Sequence, residues 1–233
     1  MFAIFFPKTC SICKSISKTP LCENCINEIE FLDLKDCCVS CGAPFNHIVK
    51  DEKSEALCIR CIRKEFHFER ARSIVIHQGL VKNLIHKFKY REKIVLKGAL
   101  TQLITERFPS GFSSFDTAIP VPLYIKKLRK REFNQSSVIA KYIAKKFGCS
   151  FDPFSLVKRL ENKSQFEIGN LNERIKNVAG VFHISNTNSI ESRSVLLVDD
   201  VFTTGSTINE CSKVLLQAGA EKVQVLTLTR AAF

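Results

Sequence analysis

An α/β fold built on a mainly parallel sheet, with a small cysteine-rich module ahead of it, follows from three features of the sequence. The run Val195-Leu-Leu-Val198 is apolar without polar alternation, the mark of a strand buried on both faces. Behind it, Ile208, Cys211, Val214, Leu215 and Ala218 recur at helical spacing, Gly219 stops the helix, and a second apolar run follows from Val223 to Leu228, completing a β-loop-α-β unit. The third feature is the cysteine spacing: of eleven cysteines, eight fall in four C-x-x-C pairs within the first 61 residues. Residues 1–68 are therefore expected to form the cysteine module and residues 69–233 the α/β domain.

Composition narrows the class. At 233 residues there is room for one sizeable domain plus a small one. A hydrophobic content of 45% with 25% charged residues belongs to a packed protein rather than a disordered tail. No apolar run approaches the roughly 18 residues that cross a bilayer. The apolar start, Met1 to Phe6, is too short for a signal peptide and lacks a basic region, so a cytoplasmic location without membrane insertion is expected.

Charge points to a polyanion. The net charge is +12, and between Pro120 and Ser150 the basic residues Lys126, Lys127, Arg129, Lys130, Arg131, Lys141, Lys145 and Lys146 face the single acid Glu132.

The cysteine module reads as a metal module. A C-x-x-C turn sets two thiolates on one side of a knuckle, and two knuckles close a tetrahedral Zn²⁺ site. The ligands are Cys10, Cys13, Cys22 and Cys25, with Cys38, Cys41, Cys58 and Cys61. Pairing in chain order and an interleaved cross-brace fit the spacing equally. All eight positions being filled by cysteine, the two zinc ions are structural, and few large apolar residues remain to fold the segment without them. Cys211 reads as a small core residue, Cys37 as a register alternative to Cys38, and His47 and His67 as surface histidines.

The middle of the chain supplies the remaining elements. Arg72–His77 reads as a strand. Gly79 opens a helix with Leu80, Leu84, Ile85 and Phe88 on one face and Lys82, His86 and Lys89 on the other, beside Lys87 and Arg91. Val95–Phe108 continues as helix, and Asp116–Pro122 is a strand running into a turn. The basic string Lys126–Arg131 leads to a helix over Ser137–Phe147, capped by Asn134 or Ser136 and stopped by Gly148. Phe154–Leu160 and Gly180–Ile184 are short strands, separated by a polar connection over Gln165–Asn177. Asn186–Ser194 is a surface loop.

Chemistry concentrates where the apolar strand ends. Asp199 and Asp200 stand there, followed by Thr203, Thr204, Gly205, Ser206 and Thr207 at the start of the helix. Backbone N–H groups of such a turn, with the helix N-terminus and four hydroxyls, suit a phosphate. The carboxylates repel a phosphate, so they accept hydrogen bonds from sugar hydroxyls or help hold Mg²⁺. A phosphate beside a diol describes a ribose 5-phosphate.

The string Val195–Thr207 resembles the 5-phosphoribosyl-1-pyrophosphate (PRPP) signature of type I phosphoribosyltransferases. The order of motifs along the chain resembles the ComF family of competence-associated proteins. It comprises the four C-x-x-C pairs, Leu84-Ile-His-Lys-Phe-Lys-Tyr90, Ile119-Pro-Val-Pro122, Arg131-Glu-Phe-Asn-Gln135, Gln165 with Glu173, Arg174 and Asn177, and the final string. The resemblance implies a double zinc ribbon followed by a type I phosphoribosyltransferase-like domain, with PRPP or a related phosphoribosyl ligand bound together with Mg²⁺. It also implies a role in natural transformation, handling incoming single-stranded DNA alongside other DNA-uptake proteins. The expected DNA contacts are Lys87, Lys89, Lys126, Lys127, Arg129, Lys130 and Arg131, with Phe88, Tyr90, Tyr124 and Phe133 as the nearby aromatics and Phe88 better placed in the core. The alternatives are an active transferase moving ribose 5-phosphate to an unknown base, or a PRPP-sensing regulator. No base-binding hood is recognisable and no catalytic residue is assigned. Glu132 stands where the family carries glycine, which matters if that position needs a positive φ.

Overall fold

A computed structural model of the chain describes residues 8–33, 35, 37–45, 56–90, 93–159 and 180–231. In chain order the elements are α1 (Glu23–Asn27), α2 (Ile59–Ile62), β1 (Arg70–Ile76), α3 (Gly79–Tyr90), α4 (Lys93–Glu106), β2 (Thr117–Pro120), α5 (Ile125–Arg131) and α6 (Gln135–Phe147). They continue with β3 (Ser150–Phe151), β4 (Leu156–Lys158), β5 (Phe182–Ile184), β6 (Ser194–Phe202), α7 (Ser206–Gln217) and β7 (Lys222–Arg230). Five strands form one sheet in the order β1-β7-β6-β2-β3, every neighbouring pair parallel. An antiparallel pair, β4 with β5, stands apart from it.

Alternation along β6 explains why its sequence lacks polar positions. Leu196 and Val198 enter one core with α3, α4 and α6, while Val195 and Leu197 enter a second core with α7 and β5. A parallel sheet covered on both faces needs apolar residues at every position.

The cysteine module divides over the same two faces. Leu21, Cys25 and Ile29 belong to the first core, and Cys38, Cys41 and Phe68 to the second. Between the two halves, residues 30–32 run antiparallel along edge strand β1: Leu32 N–H donates to Ile74 O at 3.0 Å, and Ile76 N–H to Glu30 O at 2.9 Å. An exposed parallel edge is thereby covered.

Several elements start or stop away from the sequence expectation, for local reasons. Helix α6 begins at Gln135 rather than 137, because Asn134 is the cap, accepting from Ser136 N–H at 3.0 Å. The basic string Lys126–Arg131 is itself helix α5. It ends at Glu132, whose φ of +62° is left-handed. Glutamate at this glycine-type position costs about 1 kcal/mol of backbone strain. Strands β4 and β5 are shorter than read, and Leu160, the connection Gln165–Asn177 and His47 lie outside the described residues.

Candidate functional site

Strand order locates the site before any side chain does. From β2 the chain crosses through α6 to β3 on one side, and from β6 it crosses through α7 to β7 on the other. Adjacent strands β2 and β6 therefore send their connections in opposite directions, and the crevice beyond their carboxyl ends is the natural ligand position of a parallel sheet. Asp199 and Asp200 lie at that end of β6, in register just past the Pro120–Val198 pair.

Each carboxylate has its own partner. Asp199 accepts from Ser136 Oγ in the first turn of α6 at 2.9 Å and from Asp200 N–H at 2.9 Å. Asp200 Oδ2 pairs with Lys89 Nζ from α3 at 2.7 Å, and its carbonyl accepts from Thr229 Oγ1 at 3.2 Å. Burial, then the neighbouring Asp200 charge, push Asp199 up from 3.8 to about 7, against the Ser136 hydroxyl, the Asp200 N–H and Lys89, which favour the ion. Both aspartates keep partial exposure, so a ligand reaches them from solvent.

This shift fixes a pH dependence. Folded chains hold more protons on Asp199 than unfolded ones between about 4 and 7, so its contribution to stability falls as pH rises through that window. Denaturant midpoints measured from pH 5.5 to 7.5 on zinc-loaded, ligand-free protein are expected to show this loss. Asp199→Asn should flatten it; a variant with the wild-type slope would assign the effect elsewhere.

The hydroxyl loop follows at once. Thr203, Thr204 and Gly205 turn the chain from β6 into α7, and Ser206 and Thr207 occupy its first turn. Gly205 has φ +78°. An added Cβ there would lie 2.7 Å from the Phe202 ring and 3.1 Å from that of Phe66, so only glycine fits. Thr204 Oγ1 and Ser206 Oγ lie 2.9 Å apart. The first amides of α7 face the crevice end of the helix without intrahelical acceptors, the arrangement that receives an anion.

The predicted cationic residues separate into three settings. Lys87 is exposed on α3, while Lys89 from the same helix is half-buried on Asp200. Lys126, Lys127, Arg129 and Lys130 are exposed on α5, at the same carboxyl end of the sheet as the aspartates because α5 follows β2. Arg131 is half-buried and donates to Gln135 Oε1 at 3.3 Å. Phe88 is a core residue, 5.1 Å from the Phe133 ring; Tyr124 is half-buried, and the Tyr90 side chain lies outside the described residues. Ser136 and Arg60, which donates to Thr204 O at 2.8 Å, belong to the site without having been read from the sequence. Only the position of Ser136 beside a helix cap hinted at its role.

The two cysteine clusters assemble in chain order: Cys10, Cys13, Cys22 and Cys25 form one, Cys38, Cys41, Cys58 and Cys61 the other, with the four sulfurs of each mutually within 4.8 Å. That removes the interleaved alternative. Sulfur separations of 3.6 Å for Cys13–Cys22 and for Cys41–Cys58 match the edge of a zinc tetrahedron, about 3.8 Å for Zn–S bonds of about 2.3 Å. None of the eleven cysteines is in a disulfide, and Cys37 is not a register alternative, its Sγ donating instead to Asp33 O at 3.0 Å. Cys13 is lowered to about 6, chiefly by the Ser15 hydroxyl 3.0 Å away, which prepares a thiolate ligand. Near the second cluster, Arg72 and Arg230 are buried, and among the described residues neither meets a carboxylate; the cysteines supply their countercharge.

Sheet, crevice and clusters define the class: a phosphoribosyltransferase-type domain preceded by two Cys₄ zinc ribbons. Residues 134–232 match the phosphoribosyl transferase domain family and residues 1–62 the double zinc ribbon domain family. Competence protein F of Haemophilus influenzae is 27% identical over 97% of this chain and 99% of its own length. The DNA utilization protein YhgH of Escherichia coli K12 is 26% identical over 95% and 89%. Competence protein ComFC of Bacillus subtilis is 26% identical over 83% and 77%. A glutamine PRPP amidotransferase from B. subtilis superposes on 57% of this chain and 26% of its own, at 19% identity and a TM-score of 0.39. The chain thus joins a double zinc ribbon to a phosphoribosyltransferase domain, and its relatives over most of its length are named as competence and DNA utilization proteins. Among the described residues, no helix is long and apolar enough to cross a membrane.

Proposed function

We propose that this protein handles single-stranded DNA during natural transformation, on the cytoplasmic side of the membrane and together with other DNA-uptake proteins. In this reading its crevice takes PRPP with Mg²⁺. The observation that carries the reading is the placement, at the same carboxyl end of neighbouring strands β2 and β6, of a hydroxyl-lined loop and the exposed cations of α5. The relatives named for competence and for DNA utilization support the DNA half.

In the pocket, Thr203, Thr204, Gly205, Ser206 and Thr207 hold the 5-phosphate, and Asp199 and Asp200 take the ribose hydroxyls. The same carboxylates offer the hard oxygens that Mg²⁺ prefers, and Asp200 already holds a cation in Lys89. Bound Mg²⁺ would neutralise pyrophosphate charge. On the DNA side, Lys87, Lys126, Lys127, Arg129 and Lys130 give sequence-independent attraction to phosphates.

One observation favours a sensing role for the pocket over a transferase. Lys89 lies on the same helix as Lys87 and is tied to Asp200, so a ligand or ion that takes Asp200 releases a cation at the DNA-facing helix. Binding at the two sites is then coupled, and coupling is reciprocal.

The test titrates zinc-loaded protein with labelled single-stranded DNA at several salt concentrations, with and without PRPP and Mg²⁺. Affinity should weaken steeply with salt. Replacing Lys126, Lys127, Arg129 and Lys130 together by glutamine should lower affinity and flatten the salt slope by about 0.7 for each DNA phosphate left without its cation. Asp200→Asn should weaken PRPP binding and, by releasing Lys89, hold DNA affinity in the absence of PRPP at or above wild type. Equal loss of both activities in both variants would sink the two-site reading.

A further inference from the structure

The second cysteine cluster lies against the anion loop. Its ligand Cys58 is the N-cap of α2 and Cys61 lies within that helix, with Arg60 between them. Arg60 Nη1 donates to Thr204 O at 2.8 Å, Arg60 Nε to Glu65 Oε2 at 2.8 Å, and the guanidinium lies 4.4 Å over the Phe66 ring. That ring in turn abuts Gly205. Farther on, Asn209 in α7 accepts from His67 N–H at 2.6 Å and donates to Glu65 O at 2.9 Å. Residues 60–67 thus grip the loop on both sides of Gly205, at Thr204 and at Asn209.

We infer that Arg60 is a positioning residue for the anion loop, and that metal in the second cluster, far more than in the first, sets the loop's affinity for a phosphorylated ligand. The inference rests on the reading of residues 203–207 as a phosphate site. Its physical basis is the trans peptide between Thr204 and Gly205. In a planar trans unit the carbonyl and the following N–H point to opposite sides, so anchoring Thr204 O on Arg60 turns the Gly205 N–H away from Arg60. A cation behind the loop also favours an anion in front of it, reduced by the Glu65 partner.

Metal enters because α2 has four residues and does not persist as an isolated helix. It is held by Cys58 and Cys61 and by the Cys58 N–H bond to Cys38 Sγ at 3.3 Å. Losing the ion loosens the platform that carries Arg60. The first cluster packs on the opposite face of the sheet, where Leu21 N–H meets Gln102 Oε1 at 2.8 Å.

Full-length zinc-loaded protein tests this, read by zinc per chain, amide hydrogen exchange over residues 203–209, and calorimetric titration with PRPP and Mg²⁺. Arg60→Ala is expected to keep both zinc ions, to speed exchange in the loop, and to weaken PRPP binding roughly tenfold or more, as for a lost charged hydrogen bond. Arg60→Lys should recover part of both effects, which a merely structural role would not predict. Cys61→Ser should loosen the loop as Arg60→Ala does, and Cys13→Ser should loosen it less. Unchanged exchange in Arg60→Ala, or equal loosening by the two cysteine variants, would overturn the inference. Should the wild type take up no PRPP, the ligand assignment fails, while the exchange comparison still decides the role of Arg60.

Discussion

Gly205→Ala is expected to cost the protein its anion loop. The residue sits at φ +78°, where an L side chain costs about 1–2 kcal/mol. Its new Cβ would also meet the Phe202 ring at 2.7 Å. Phe202 cannot move aside easily: it is buried, its ring packs edge-on against Phe68, and Arg230 lies 4.2 Å over its face. Overpacking of this kind adds about 1–3 kcal/mol. A lower denaturation midpoint together with loss of detectable PRPP binding is the expected result. Because Gly205 stands between the last strand residues and the first helical amide, relief of the clash must displace the first N–H groups of α7. A variant that binds PRPP like wild type would show that the phosphate is held elsewhere.

Arg230→Met is expected to have a comparable effect through charge. Four thiolates around one Zn²⁺ leave a net charge of about −2 in the second cluster. Arg72 and Arg230 are the buried cations beside it. Arg230 donates to Cys41 O at 2.8 Å, and Arg72 donates to Val39 O at 2.7 Å. Burial lowers the pKa of Arg230, and the neighbouring cysteines counter that shift. Removing one partner from a buried charge cluster costs about 3–5 kcal/mol, because the opposite charge is left uncompensated. Methionine keeps much of the volume, so the loss reports charge rather than a cavity. Metal counting should show zinc depleted from the second cluster with the first retained, alongside a lower thermal midpoint. Full occupancy of both clusters at wild-type stability would mean that Arg72 alone suffices.

Features whose cause is local were legible in the sequence. A buried parallel strand requires apolar residues on both faces, and Val195–Val198 has them. Zinc knuckles require C-x-x-C, and eight cysteines stand at that spacing. A tight turn into a helix requires a small-residue loop, and Thr203–Thr207 supplies it. Gly148 stops its helix at positive φ, as its place after Phe147 predicts, whereas the positive φ of Glu132 shows only in the structure. Together these determined the α/β class, the two cysteine clusters and the position of the small-residue loop ahead of α7.

Tertiary structure alone decided which distant groups meet. The sequence made Lys89 an expected DNA contact, whereas the packing of its helix places it on Asp200. Arg60 reads as a charge inside a knuckle, and only the docking of the second cluster on the α7 face brings it to Thr204, 144 residues away. Chain-order pairing of the cysteines was equally open, since the C-x-x-C spacing is satisfied by either arrangement. Hydrogen bonds and ion pairs of this range depend on how the two faces of the sheet are covered. Short-range periodicity carries no record of that.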